Sequence, residues 1–272
     1  MLGKVKLILV LVIAFLLGVS LYWLMVKPNQ QRPLAKNNDR NERLAKLPKV
    51  MLWAWERAEN LKFIDPKTTG VAFLAKTICL KAIELDIRPR FQPLEVPPNT
   101  SLVAVVRIET DRYLKPVFSL EQQEKTLEAI VALTKLKGVV GLQIDFDARE
   151  SERDFYRKLL VKLRNMLPNN YVLSITALAS WAIYDNWVAD LPIDEAVPML
   201  FRMGADKQPI LNYLAAKKDF TSQNTSTSFG ISTDSELPWL PAERRVYVFA
   251  ERSWSAELLN DSLQKVEKWQ TK

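Results

Sequence analysis

The sequence contains no histidine among its 272 residues. This absence excludes the Ser-His-Asp and Cys-His catalytic arrangements, and it also removes histidine as a general base and as a metal ligand. The reactive groups that remain are carboxylates, lysine, tyrosine, hydroxyls and one thiol. Any catalysis by this chain is therefore expected to depend on these groups.

Cysteine and glycine are scarce as well. Cys79 is the single cysteine, so the chain can form neither an internal disulfide nor a Cys-rich zinc site. Its apolar neighbours in FLAKTICLKA indicate a buried small hydrophobe. Residues 50–272 contain five glycines and neither GxGxxG nor GxxxxGK, so the signals of nucleotide-binding loops are absent. We expect no metal and no cofactor.

Charge is unevenly distributed along the chain, whose formal net charge is +7. Residues 1–49 contain nine basic side chains and two acidic ones, which leaves 29 of each sign in the other 223 residues. The part of the chain that is expected to fold is therefore neutral. Because a nucleic-acid-binding domain needs a basic face of its own, we expect no nucleic-acid partner.

One long apolar run stands near the N-terminus. Residues 7–26, LILVLVIAFLLGVSLYWLMV, carry no charge, and at about 1.5 Å per residue they can cross about 30 Å of hydrocarbon. The alternative is a cleaved signal peptide, because Gly18 and Ser20 follow an apolar stretch at the spacing of a cleavage site. The run continues through Tyr22 to Met25, which favours an uncleaved signal anchor over residues 1–26.

The orientation of this anchor is ambiguous in the sequence. Seven basic residues between Lys27 and Lys49 lie after the span, and the positive-inside rule would keep them in the cytoplasm. A short lysine-containing segment before the apolar run is instead typical of an anchor that exports the downstream part of the chain, and we expect export. Residues 27–49 are polar and predict a basic tether, which could alternatively rest on anionic lipid headgroups.

From residue 50 onward, short β-rich runs alternate with helical patterns, as in βα units around a parallel sheet. A capping box at Ser119 and Gln122 predicts a helix that continues to Leu136, and Ser151 with Asp154 predicts a second helix start. Eight strands in about 220 residues favour a compact (β/α)8 TIM-type barrel over residues 50–272, rather than an open doubly wound sheet. The strand candidates are residues 50–57, 70–78, 101–109, 139–147, 171–178, 195–203, 227–233 and 245–252.

The fourth strand candidate ends in GLQIDFD, with polar side chains at alternate positions. Alternation places Gln143, Asp145 and Asp147 on one face, towards the barrel interior and its rim, and TIM-barrel sites lie at the carboxyl ends of the strands. Two carboxylates beside apolar walls raise one pKa, which keeps an acid protonated for glycosidic bond cleavage. Asp147 and Asp145 are therefore catalytic candidates. The alternative is a buried polar pair satisfied by a neighbouring Arg or Tyr.

Other strand ends carry groups suited to a sugar ligand. Tryptophan faces can stack on sugar rings, although each tryptophan alone could equally be a packing residue. Arg107 and Glu109 are expected to pair, and Arg202 is a candidate counter-ion of the aspartates. The candidate substrate-binding residues are Gln143, Trp53, Trp55, Arg57, Arg107, Glu109, Thr176, Trp181, Arg202, Glu251 and Trp254.

Several stretches together resemble an uncharacterised bacterial domain-of-unknown-function family with a glycoside-hydrolase-like barrel. The resemblance spans roughly residues 50–256 and implies the fold more firmly than an activity. The stretches that carry it are WAWERAENLKFIDP, GVAFLAKTI, GLQIDFDARESERDFY, LSITALASW, DEAVPMLFRMG, FGIST and RVYVFAERSW.

More distantly, GLQIDFD is similar to the fourth-strand GLDIDWE of chitinase-like family-eighteen glycoside hydrolases. This resemblance implies that Asp147 occupies the position of the general acid and that Asp145 assists the substrate acetamido group. Gln143 replaces the outermost Asp of the family pattern. In VPMLFRM, Met199 matches the sixth-strand Met-x-Tyr-Asp pattern, with Phe201 for Tyr and Arg202 for Asp. Trp254 stands where an eighth-strand tryptophan would stack on the sugar.

Three functions remain open on the sequence alone. The first is an anchored barrel that hydrolyses or remodels an envelope glycan, with Asp147 as general acid/base and Asp145 as its electrostatic partner. The second is a non-catalytic carbohydrate-binding barrel, and the third is a membrane-tethered scaffold. In each case we expect a single-pass protein of the bacterial inner membrane, in contact with its lipid, with the barrel in the periplasm.

Overall fold

The computed structural model describes residues 37–185, 187–220 and 222–271. The predicted membrane anchor over residues 1–26 lies outside these residues, as does the first part of the predicted tether. Within the described residues, no helix combines the length and the apolar character that crossing a membrane requires.

Eight parallel strands form a closed barrel in the order β1-β11-β10-β9-β8-β7-β6-β3, and β3 pairs with β1 to complete the circle. Each strand candidate of the sequence corresponds to one barrel strand, so the TIM-type prediction is confirmed. The described strands are β1 (Val50–Ala54), β2 (Glu59–Asn60), β3 (Thr69–Lys81), β4 (Glu84–Pro89), β5 (Leu94–Glu95), β6 (Leu102–Thr110), β7 (Val139–Asp145), β8 (Val172–Leu178), β9 (Glu195–Met199), β10 (Ser228–Ser232) and β11 (Arg245–Phe249).

Helices follow several of the strands and cover the outside of the barrel. Ser119 caps α2, because its Oγ accepts a hydrogen bond from the Gln122 N–H at 3.1 Å. The predicted start at Ser151 is wrong, since Glu150–Glu152 form a 3-10 turn and Glu152 accepts the Arg149 N–H. The described helices are α1 (Asn37–Leu44), α2 (Leu120–Val131), α3 (Arg153–Met166), α4 (Ala179–Ile183), α5 (Lys207–Ala215) and α6 (Ala256–Gln270).

The inside of the barrel is a packed core. Inward side chains such as Met51, Trp53, Val105 and Tyr247 form one apolar cluster, while the outward residues of the same strands pack with the helices in a second cluster. This division follows from strand alternation, which sends successive side chains to opposite faces. The interior is therefore filled, as is usual for barrels of eight strands.

Residues 37–49 close the end of the barrel where the strands begin. Arg43 pairs with buried Asp194, with Nη2 2.7 Å from Oδ1, and Arg40 Nε donates to the Asp194 carbonyl at 2.7 Å. Arg245 in turn donates to the Leu44 carbonyl at 2.7 Å. The prediction of a tether up to residue 49 therefore does not hold from residue 37 onward, because the buried Asp194 carboxylate requires cationic partners.

A polar network crosses the barrel interior above this end. Glu195 accepts hydrogen bonds from the Tyr247 hydroxyl at 2.5 Å and from Arg245 Nη1 at 2.9 Å. Closer to the opposite end, Gln143 accepts from Trp53 Nε1 at 2.8 Å and donates to Ser174 Oγ at 3.1 Å. These buried groups satisfy one another, which removes the cost of leaving polar atoms without partners.

Strand β3 is much longer than its neighbour β1. Only residues 69–73 pair with β1, whereas residues 76–80 pair with the antiparallel strand β4 on one side and with β6 on the other. Strands β4, β3 and β6 therefore rise past the end of β7 as a three-stranded sheet, which we call the projecting wall. It stands beside the carboxyl ends of the barrel strands.

Candidate functional site

Asp145 is the last residue of β7 and lies at the carboxyl end of the barrel. It is 7% exposed, and its Oδ1 accepts a hydrogen bond from Thr176 Oγ1 at 2.7 Å. Its Oδ2 lies 3.5 Å from Arg107 Nη1. Burial raises the pKa of Asp145 to about 6, although Arg107 and the Thr176 hydrogen bond both oppose the shift.

Asp147 lies in the turn beyond β7 and is exposed to solvent. Within the described residues its carboxylate forms no hydrogen bond and no ion pair. Partial loss of hydration raises its pKa, and Arg107 opposes the shift. An unpaired carboxyl group with a raised pKa, open to solvent, has the properties required of a general acid.

Two cavities of about 190 Å³ each open at this end of the barrel. Asp145, Asp147 and Arg107 line both. The cavity that we call the aromatic cavity is also lined by Trp55, Met199, Phe201, Phe249, Arg202 and Asp206. The cavity that we call the polar cavity is also lined by Glu109, Thr110, Arg149 and Glu152.

The aromatic cavity is built on a cluster of packed aromatic rings. Trp53 lies beneath it and contacts both Trp55 and Phe249, with ring centroids 4.2 and 4.9 Å away. Phe201 packs against Phe249 at 4.7 Å. Trp55 is only partly buried, and the Arg107 guanidinium lies 6.0 Å from its ring centroid. Trp55 is therefore the tryptophan in this cavity that a ligand can reach.

A series of ion pairs connects Asp145 to the charged side chains of the projecting wall. Arg107 Nε donates to Glu109 Oε1 at 3.0 Å, as predicted, and Arg88 donates to Glu109 Oε2 at 3.0 Å. Arg107 is therefore shared between Glu109 and Asp145. Within the part of the chain that the structure describes, no group of three or more carboxylate or thiol side chains is arranged to hold a metal ion.

Four of the predicted substrate-binding residues are buried away from both cavities. Gln143 and Trp53 are fully buried in the barrel, where they bond to each other. Trp254 is 6% exposed and donates its Nε1–H to the Trp53 carbonyl at 3.2 Å, while Trp181 packs edge-on against Trp187. The expectation that these side chains contact a ligand is not supported. For Gln143 and Trp53, alternation defines the face of the strand but not the depth of the side chain, whereas Trp181 lies in α4 and Trp254 in the loop after β11.

Of the other predicted residues, Arg57 stabilises a loop, whereas Arg202 and Glu251 are exposed at the mouth of the barrel. Arg57 donates to the carbonyls of Ala250 and Arg252, so it holds the loop after β11. Arg202 pairs with Glu251 at 3.1 Å, and both side chains are exposed. Arg202 is therefore not the counter-ion of the aspartates, a position that Arg107 takes because it lies on the strand adjacent to β7.

Sequence reasoning missed several cavity residues. Asp206 ends the 3-10 turn Gly204–Asp206 and is exposed in the aromatic cavity, and its carboxylate has no partner among the described residues. Arg149 and Glu152 lie just past β7 in the same stretch as Asp147. The predicted residues lie mainly at the ends of strands, whereas Asp206, Arg149 and Glu152 lie in the segments that follow the strands. Position after a barrel strand is the signal that could have identified them.

Comparisons with known proteins bear on the fold. No protein-family model matches the chain, and no curated protein matches it by sequence. A solved structure from Streptomyces coelicolor, provisionally named chitinase A, is similar with a TM-score of 0.53 and 9% identity. The alignment covers 82% of this chain and 98% of that one. The resemblance to chitinase-like barrels is confirmed as a likeness of fold.

Proposed function

We propose that the chain is a glycoside hydrolase in which Asp147 is the general acid. The observation that carries this proposal is the position of the Asp147 carboxyl group, which has no partner among the described residues and lines both cavities at the mouth of the barrel. Its raised pKa supports the role, because a general acid must hold its proton near the working pH. The chitinase-like fold adds support by analogy only.

Asp145 and Arg107 act in this mechanism through charge. When Asp147 gives its proton to the oxygen of the leaving sugar, a carboxylate forms beside Arg107, whose charge favours that ionised state. Glu109 holds Arg107 through Nε at 3.0 Å, and Asp145 Oδ2 makes a looser contact with Nη1 at 3.5 Å. Both Asp145 oxygens have partners, so we assign it an electrostatic role and not that of a nucleophile.

The second carboxylate of the reaction is then Asp206. Glycoside hydrolases commonly use one carboxyl group as acid and another to activate water or to attack the sugar. Asp206 lines the aromatic cavity with Asp147, and no described residue engages it. In this arrangement one sugar stacks on Trp55, with Asp147 and Asp206 acting on the bond at its anomeric carbon.

The test is release of reducing sugar by the purified full-length chain from cell-wall and exopolysaccharide preparations. The wild type should release product, and Asp147→Asn should release at least about a hundredfold less, which is the usual contribution of a general acid. Asp154→Asn is the matched control, because Asp154 is exposed on α3, where it pairs with Lys158, and lines neither cavity. Equal release by wild type and Asp147→Asn would remove Asp147 from the mechanism. Glycan binding without release by either would identify a carbohydrate-binding barrel.

We also propose that residues 1–26 anchor the chain in the membrane and export the barrel to the side of the envelope glycan. The uncharged run over residues 7–26 supports this placement. Protease added to intact spheroplasts should digest the barrel. Digestion that requires lysis of the cells would place the barrel in the cytoplasm instead.

A further inference from the structure

Asp147 lines two cavities that differ in chemical character, and this contrast bears on the substrate class of the proposed hydrolase. An acid that protonates a glycosidic oxygen must lie between the two sugars that this oxygen joins. The aromatic cavity offers ring faces, and the polar cavity offers charged and hydroxyl groups. The two sides of the bond therefore meet different chemistry.

Three of the four carboxylates that line the polar cavity, Glu109, Asp145 and Glu152, have partners within the protein, and the fourth is Asp147, the proposed general acid. Glu109 accepts hydrogen bonds from both Arg88 and Arg107. Glu152 accepts from Thr110 Oγ1 at 3.0 Å and from the Arg149 N–H at 2.8 Å. Groups satisfied in this way attract a ligand only weakly, because binding it would break an existing hydrogen bond.

The Arg149 side chain differs from these groups. It is exposed and lines the polar cavity, and its guanidinium forms no hydrogen bond or ion pair with any residue of the described ranges. It lies two residues from Asp147 along the chain. A guanidinium presents five N–H donors in a planar fork that matches a carboxylate or a phosphate.

We propose that the polar cavity binds a sugar with an acidic substituent, a carboxylate or a phosphate, through the Arg149 guanidinium, while the aromatic cavity takes a neutral sugar. The substrate is then an anionic glycan with the bond to be cleaved next to its acidic sugar. This inference rests on the proposed function for the location of that bond, whereas the binding of the acid is independent of hydrolysis.

The experiment measures binding of three monosaccharides to the full-length chain by calorimetry at low salt. D-Glucuronate, glucose 6-phosphate and D-glucose differ at carbon six, which carries a carboxylate, a phosphate or a hydroxyl. At least one acidic sugar should bind about tenfold more tightly than glucose, and the tighter of the two identifies the substituent. Arg149→Gln should remove this preference and leave glucose binding unchanged.

Arg112→Gln is the control, because Arg112 is also an exposed arginine but lines neither cavity. It should bind all three sugars as the wild type does. Equal binding of acidic and neutral sugars by the wild type, or an undiminished preference in Arg149→Gln, would overturn the inference. Hydrolysis of neutral glycans without any acid preference would overturn it and leave the proposed function intact. Arg149-dependent acid binding without hydrolysis of any glycan would support it and contradict the proposed function.

Discussion

Arg107 approaches Asp145 only loosely, with Nη1 3.5 Å from Oδ2, because Glu109 holds its Nε at 3.0 Å. The ion pair therefore offsets only part of the cost of burying the Asp145 carboxylate. This balance explains why the pKa of Asp145 lies at about 6 although an arginine is adjacent. The carboxyl group changes its charge within the pH range in which most enzymes work.

The first prediction concerns stability and pH. Because the folded-state pKa of Asp145 is raised from 3.8 to about 6, its ionisation costs stability as pH rises through this interval. The free energy of unfolding of the wild type, relative to Asp145→Asn, should fall by about 2 kcal/mol between pH 4 and pH 7. Urea denaturation of both proteins at each pH measures the difference. A constant difference would show that Asp145 ionises normally in the folded protein.

The second prediction separates the two carboxylates of the proposed mechanism. Dinitrophenolate is a leaving group that does not need protonation. On a dinitrophenyl glycoside of the sugar that the enzyme accepts, Asp147→Asn should therefore retain most of the wild-type rate. The rate of Asp206→Asn on the same substrate should fall about a hundredfold. Azide should restore the rate of Asp206→Ala, because the azide anion takes the place of the missing Asp206 carboxylate. The same loss in both asparagine variants would contradict this division of roles.

The third prediction compares two tryptophans. Trp55→Ala should weaken glycan binding about tenfold, the loss of about 1.4 kcal/mol of ring contact, and should also lower stability because Trp55 packs against Trp53. Trp254→Phe should leave binding unchanged and lower the free energy of unfolding by about 1 kcal/mol, since it loses the hydrogen bond to the Trp53 carbonyl. Calorimetry and urea denaturation test the pair. A binding defect in Trp254→Phe would place that ring in the site.

The fourth prediction concerns the segment before the barrel. Arg43→Ala should lower the free energy of unfolding by about 3 kcal/mol, because the buried Asp194 carboxylate loses one of its arginines. Lys46→Ala removes only an exposed contact to the Asn170 carbonyl and should change stability by less than about 0.5 kcal/mol. Equal unfolding midpoints for both variants would show that residues 37–49 contribute little to the fold.

The eight strands could be predicted because apolar alternation and turn signals are local properties of the chain. The same alternation predicted the position of Asp145 and Asp147 at the mouth. The burial of Trp254 and the partner of Arg202 could not be predicted, since both depend on which loops cross the strand ends. Arg40 and Arg43 lie in a segment whose composition is typical of a solvated tether. Their burial depends on contacts with Asp194, which is distant in the sequence.

The projecting wall has a consequence for how the site can change during evolution. One side of the mouth is a hydrogen-bonded sheet in which residues 76–80 pair on both edges, so substitutions there disturb strand register as well as the site. The opposite side consists of the start of α4, which carries Ser180, and the segment after β9, which carries Phe201, Arg202 and Asp206. Changes in ligand specificity should therefore arise on this side of the mouth, while the side formed by Arg107 and Glu109 stays constant.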